Sequence, residues 1–187
     1  MQPVIVARGP RILMVQYDGW RDYYETEKRN IEEAVGELFL AIEHVGSTSV
    51  VGLVAKPVID ILAATQSLEV GPTIAASLEP LGYRQIPFIP HRATLERLYF
   101  PKRSVNTPEG VDLEHPGYNI HVVPFDRFFS DEQLLFRDYL RSHPDVAAEY
   151  ARLKCDIVSR IGDYREYIPA KDPFIQRILA DARAERR

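Results

Sequence analysis

Apolar residues fall into short dense runs over the first two thirds of the chain and into helical spacings over the last third. Arg11-Ile12-Leu13-Met14-Val15-Gln16-Tyr17 predicts a first strand. Asp18 is a candidate N-cap, because its carboxylate can accept from the free N–H groups of a first helical turn. Trp20, Tyr24, Ile31, Val35, Leu38 and Ile42 recur at helical spacing and give one apolar face over roughly 20 residues. Ala41 to Val45 predicts a second strand ended by Gly46. Pro57 to Ala64 is nearly continuous in apolar residues, as expected of a central strand covered on both faces. Pro72 to Leu81 predicts a short helix with Ile74, Leu78 and Leu81 inward and Gly82 as its stop. Arg97 to Phe100 and Tyr118 to Val123 predict two further strands, joined by a polar loop from Pro101 to Gly117 of the length that is usually functional.

From Ser130 onward only helical spacing remains. Ser130 with Gln133 has the form of a capping box, and Leu135/Tyr139 and Phe136/Leu140 are i,i+4 pairs. Pro144 ends that helix. Val146, Tyr150, Leu153, Ile157 and Ile161 mark a second one, closed by Gly162. Asp172-Pro173 is the expected start of a last helix through Ile175, Ile178, Leu179 and Ala182, with Arg183 to Arg187 at its negative pole. The expected fold class is α+β: one domain with a mixed β-sheet and flanking helices over residues 1–128, and an all-helical extension over 129–187.

With 187 residues, 45% of them hydrophobic and 27% charged, the chain can bury a sizeable core and has the balance of a globular protein. The net charge of −4 argues against general nucleic-acid binding, which needs a basic surface. Cys155 is the single cysteine, so an internal disulfide and a cysteine-based zinc site are both excluded. No apolar stretch approaches the ~20 residues of a membrane span. The N-terminal segment lacks the basic and apolar regions of a signal peptide. A reducing, cytoplasmic compartment is therefore expected.

One segment stands out chemically: His44-Val45-Gly46-Ser47-Thr48-Ser49, then Lys56-Pro57-Val58-Ile59-Asp60-Ile61. A strand ends at Gly46 and three hydroxyl residues follow. Glycine permits close backbone approach, N–H groups at a turn form an anion site, and hydroxyls donate to phosphate oxygens. Asp60 follows Ser47 after 12 intervening residues. A carboxylate in an apolar strand needs a cation or donors, so Asp60 either meets a divalent metal, pairs with Lys56 or an arginine, or caps a turn. The order of residues does not match a P-loop.

The string IEHVGSTSVVGLVAKPVIDI, residues 42 to 61, resembles the signature of the GrpB family, usually written G-S-T-[SA]-V-P-G-L and K-P-I-[IL]-D-I. The resemblance continues through the His-containing strand Tyr118 to Val123 and FRDYL with Arg141. It ends with Glu149-Tyr150, Lys154, Tyr164 and Lys171. A domain of this family is fused to dephospho-coenzyme A kinase in some actinobacterial proteins. The resemblance implies a nucleotidyltransferase fold in which Gly46 and Ser47 approach a nucleoside triphosphate and Asp60 binds Mg²⁺ or Mn²⁺. It further implies transfer of a nucleotidyl group to a small-molecule or protein acceptor. Thr48, Ser49 and Lys56 belong to the same phosphate-binding segment.

The chain departs from that pattern at two places. Active transferases carry D-h-[DE], whose alternate residues lie ~6.5 Å apart on one strand face and share a metal pair. Here the second position is Leu62. On the later strand, Asn119 and His121 stand where a third acid is usual. His121 is a candidate metal ligand and general base, since a neutral imidazole serves both roles; the alternative is a histidine satisfied within the sheet. Asp112 and Glu114 are candidates to fold over the cleft, or are solvated loop charges. Arg84, His91, Arg92, Arg97, Lys102 and Arg103 concentrate positive charge, either for an anion or as a guarded sheet edge. Arg137, Arg141, Lys154 and Lys171 either line the cleft or pair with acids of the tail. Three function classes follow: a metal-dependent nucleotidyltransferase, a non-catalytic nucleotide or small-ligand binding module with a degenerate metal site, and a hydrolase using Asp60 and His121.

Overall fold

The computed structural model describes residues 2–9, 12–87, 96–103, 106–107, 110–111 and 115–186. Arg11, His91, Arg92, Asp112, Glu114, Arg187 and the Tyr164 side chain, all invoked above, lie outside the described residues.

Two hairpin strands, β1 (Val4–Gly9) and β2 (Ile12–Gln16), open the chain and pair antiparallel. β1 carries no readable pattern because Val4, Ile5 and Val6 are all about half exposed. Helix α1 (Trp20–Val35) buries Trp20, Tyr24, Ile31 and Val35 at the expected spacing. It stops there because Gly36 takes a positive φ of 56°, a backbone open at no cost only to glycine. Leu38 then lies in a short turn and Ile42 in a strand, so the single apolar face predicted over residues 20–42 spans three elements. Asp18 does not cap α1: no side chain caps it, and Asp18 Oδ1 accepts instead from the Gly52 N–H at 3.2 Å.

The main sheet has the order β3-β4-β8-β5. β3 (Ala41–Val45) and β4 (Val58–Thr65) are antiparallel, β4 and β8 (Gly117–Pro124) are parallel, and β5 (Leu98–Lys102) closes the edge antiparallel to β8. Within the loop between β5 and β8, β6 (Asn106–Thr107) and β7 (Gly110–Val111) form a small hairpin. Helix α2 (Gly71–Leu78) runs into a turn that ends at Gly82 with φ 88°, the stop expected there.

Alternation along the strands gives the sheet two buried faces. On one, Ile59, Ile61, Ala63, Ile120 and Val122 pack with Tyr24, Ile31, Ile74 and Leu78 of α1 and α2. On the other, Val45, Leu62, Ala64 and Val123 pack under Phe128 of α3 (Phe125–Phe128) and Leu134 of α4 (Glu132–Ser142). Each valine, leucine, isoleucine or phenylalanine among them contributes about 1.5–3 kcal/mol on full burial.

The last third is all helix: α4, α5 (Pro144–Arg160) and α6 (Tyr167–Glu185). The cap of α4 is Asp131, whose Oδ1 accepts from the Gln133 N–H at 2.9 Å. Ser130, the expected cap, instead donates back to the Arg127 carbonyl. α6 begins five residues before Asp172 and carries Pro173 inside it. Proline is tolerated there because Tyr167, 1% exposed and packed with Ile12, Met14, Val54 and Ile157, anchors an earlier start. α5 rests on β1 and β2, and α4, α5 and α6 pack together around Tyr150, Phe174 and Ile178. The architecture is α+β with a mixed sheet, flanking helices and an all-helical C-terminal third, as expected. No helix among the described residues is long and apolar enough to cross a membrane.

Candidate functional site

The turn after β3 is shaped by Gly46, with φ 70° and ψ −171°. This region is essentially restricted to glycine, and a Cβ on Gly46 would collide with Oδ2 of Asp60. Register explains the proximity, since Val45 pairs with Asp60 across β3 and β4. Gly46, Ser47 and Asp60 are therefore brought together as expected, at the start of β4.

Asp60 is held from the next strand. Asn119, its register partner on β8, donates Nδ2–H to Asp60 Oδ1 at 2.8 Å, and Asn119 Oδ1 accepts from the Tyr99 hydroxyl at 2.8 Å. Burial raises the Asp60 carboxyl above its ordinary range, opposed by the Asn119 hydrogen bond and by Lys56 and Lys171. Lys56 thus acts on Asp60 electrostatically, and its ammonium lies 5.3 Å from the centroid of the Tyr167 ring.

The helical third supplies the rest. Lys154 of α5, 1% exposed, donates Nζ–H to Ser47 Oγ at 2.9 Å and to the Val54 carbonyl, and lies over the Tyr150 ring. Tyr150 exchanges a hydrogen bond with Ser47, and burial followed by Asp60 raises its phenol. Lys171 of α6 lies 4.3 Å from the Tyr167 ring centroid. Burial, then Lys56, lowers Lys171 to about 7, with Asp60 opposing. Burial, then Lys171 and Lys56, takes Lys154 well below the usual lysine range. Three lysines and one carboxylate therefore face the same turn. The sequence gives a signal for Lys154, since it stands among Tyr150, Ile157 and Val158 on the buried side of α5. The roles of Lys154 and Lys171 come from the packing of α5 and α6.

The other members of the segment point elsewhere. Thr48 Oγ1 donates to the Val58 carbonyl at 3.4 Å and meets His44 Nε2 at 2.9 Å, while Ser49 Oγ donates to the Gly46 carbonyl at 2.6 Å. Both hydroxyls close the turn from within. His121 lies opposite Leu62, not Asp60, and its ring stacks on Tyr99 with centroids 4.9 Å apart. Burial, then Arg97, lowers its imidazole to about 3. Arg97 and Lys102 do not form a receiving patch: Arg97 pairs with Asp131 at 2.9 Å and Lys102 with Glu27 at 2.8 Å. Arg137 ties α4 to β3 through Glu43 at 2.7 Å and the His44 carbonyl at 2.9 Å.

The residues present do not fit a divalent metal pair. Leu62 is fully buried among Val45, Ala64, Val123, Phe128 and Leu134. Asn119 presents its amide to Asp60 where a further acid would stand. No group of three His, Cys, Asp or Glu side chains converges on a possible metal position among the described residues.

The chain is 38% identical over 183 residues to the UPF0157 protein PA4798 of Pseudomonas aeruginosa, covering 97% of this chain and 72% of that one. It is 29% identical over 187 residues to a dephospho-CoA kinase of Mycobacterium bovis, of which it spans 45% while 90% of this chain is matched. Among solved structures, the conserved protein GrpB from Enterococcus faecalis superposes with a TM-score of 0.71 at 27% identity, covering 96% of both chains. Residues 11–181 match the GrpB protein family, and the chain belongs to it.

Proposed function

We propose that the site around Gly46 and Ser47 binds the phosphate chain of a nucleoside triphosphate, with Gly46 and Ser47 giving close approach and Lys56, Lys154 and Lys171 giving the counter-charge. The observation that carries this reading is Lys154. Its ammonium is 1% exposed, and its hydrogen-bond acceptors are the hydroxyl of Ser47 and the carbonyl of Val54. A buried charge facing only neutral acceptors is costly, and an anion at Ser47 supplies the missing opposite charge. Lys171, lowered first by burial and then by Lys56, supports the same conclusion, because an anion would favour its protonated form.

Binding, rather than metal-dependent transfer to an acceptor, is what this geometry supports best. The transfer mechanism implied by the resemblance needs a second carboxylate beside Asp60, and that place is filled by buried Leu62. A hydrolase built on Asp60 and His121 is disfavoured by the register, which sets His121 opposite Leu62.

The test is thermal stability against ATP, GTP, CTP and UTP, each with EDTA, Mg²⁺ or Mn²⁺. A ligand at 100 times its Kd stabilises by about 2.7 kcal/mol, enough to move a melting curve. The expected result is a shift that persists in EDTA and disappears in Lys171→Met. A shift that requires the metal returns the transferase reading, with pyrophosphate release as its follow-up. A flat panel removes nucleotides as the ligand.

A further inference from the structure

A cavity of about 700 Å³ has Thr48 and Ser49 in its wall but neither Ser47 nor Asp60. Its walls come from the start of α1, from Thr48 to Leu53, and from the junction of α4 and α5. The volume is that of a small-molecule site, for which about 300–1,000 Å³ is usual.

Its chemistry is asymmetric. Each acid on its wall is already engaged: Asp18 accepts from the Gly52 N–H, Glu43 is bound by Arg137, and Glu25 pairs with Arg21 at 3.6 Å. Arg141 differs. Its Nε–H and Nη2–H both go to one neutral acceptor, the Ser49 carbonyl, at 3.2 and 2.8 Å. Among the described residues it makes no ion pair, and a guanidinium has five N–H donors, three of which remain. Arg141 is itself exposed to solvent, and partial burial and the neighbouring Arg137 lower it, with Asp138 and Glu43 opposing. Beside Arg141 the wall is apolar, formed by Val50, Leu53, Leu140, Ala147 and Ala151. The alanines of α5 leave the room that larger side chains would fill.

We infer that this cavity is a binding site for a small organic anion, whose acidic group pairs with Arg141 and whose apolar body lies against Val50, Leu140 and the alanines of α5. The inference is independent of the proposed phosphate site, whose Ser47, Lys56, Lys154 and Lys171 do not line this cavity.

Two fluorescent probes test it. 8-Anilinonaphthalene-1-sulfonate has an anionic group on an apolar ring system, and N-phenyl-1-naphthylamine has the same rings without the sulfonate. The folded full-length protein is expected to bind the sulfonate with 1:1 saturation and the neutral amine at least tenfold more weakly. Ala148→Trp fills the cavity from an exposed position of α5 and is expected to weaken the sulfonate at least tenfold without lowering Tm. Arg141→Gln is expected to bring the two probes to equal affinity, and Arg141→Lys to restore most of the difference. Equal binding of both probes by the wild-type chain overturns the inference. So does sulfonate binding that Ala148→Trp leaves unchanged, which stays decisive if Arg141→Gln fails to fold.

Discussion

Gly46 combines two constraints at one position: a φ and ψ that other residues essentially do not adopt, and the Asp60 carboxylate where its Cβ would be. Gly46→Ala is therefore expected to cost about 1–3 kcal/mol from backbone strain alone and to abolish the triphosphate-induced shift in Tm. Denaturant midpoints with and without ligand measure both, and an alanine variant with wild-type stability and binding would contradict the close approach. The two buried histidines make a second prediction. Burial, then the guanidinium groups of Arg141 and Arg137, lowers His44 to about 3, and burial with Arg97 lowers His121 equally far. Both imidazoles stay neutral in the folded protein while an unfolded histidine protonates near 6.5. Their contribution to stability is thus complete above pH 6.5 and is lost as pH falls toward 3. Imidazole nitrogen shifts of His44 and His121 are expected to be flat from pH 8 to 5; a midpoint above 6 for either would show a solvated ring.

At the scale of elements, Leu62 faces the same side of the sheet as Asp60 but lies under α3 and α4. An acid placed there does not complete a metal site. Leu62→Asp is expected to destabilise by about 4 kcal/mol or more, as a buried unpaired carboxylate does, with no gain in Mg²⁺ or Mn²⁺ affinity by calorimetry. The start of α4 offers a paired test. Asp131, 3% exposed, both caps the helix and neutralises buried Arg97. Asp131→Ala is expected to cost about 3–5 kcal/mol through the stranded guanidinium, and Ser130→Ala only a few tenths, by chemical denaturation. The elements most legible in the sequence are those whose periodicity is local, such as β3, β4, β8 and α2. The errors have tertiary causes. Asp18 and Ser130 look like caps, yet Asp18 serves the 52 turn and Ser130 yields to Asp131. Pro173 looks like a helix start until Tyr167 is seen anchored in the core.

On the scale of the whole molecule, the cleft joins the β3–β4 turn to two helices that follow it much later in the chain. Gly46, Ser47 and Asp60 were readable because a short string carries them. Lys154 is legible as a lysine on the buried side of α5 and Lys171 only as a family position, and no spacing rule connects either to Ser47. Lys171 gives this assembly a pH signature. Its ammonium is lowered to about 7, and a bound anion favours its protonated form. Triphosphate affinity measured by calorimetry is expected to rise as pH falls from 9 toward 6, with net proton uptake on binding near pH 7. In Lys171→Met that part of the pH dependence should vanish, and an unchanged profile would separate Lys171 from the ligand.

The bond between Lys154 and Ser47 spans 107 residues of chain. Contacts so remote in sequence form late, because a large loop must close before they give any return. During synthesis the glycine turn and Asp60 leave the ribosome long before Lys154 and Lys171. If the site binds triphosphate as proposed, affinity is expected to appear only once α5 and α6 have docked, so triphosphate binding followed during refolding would report that docking.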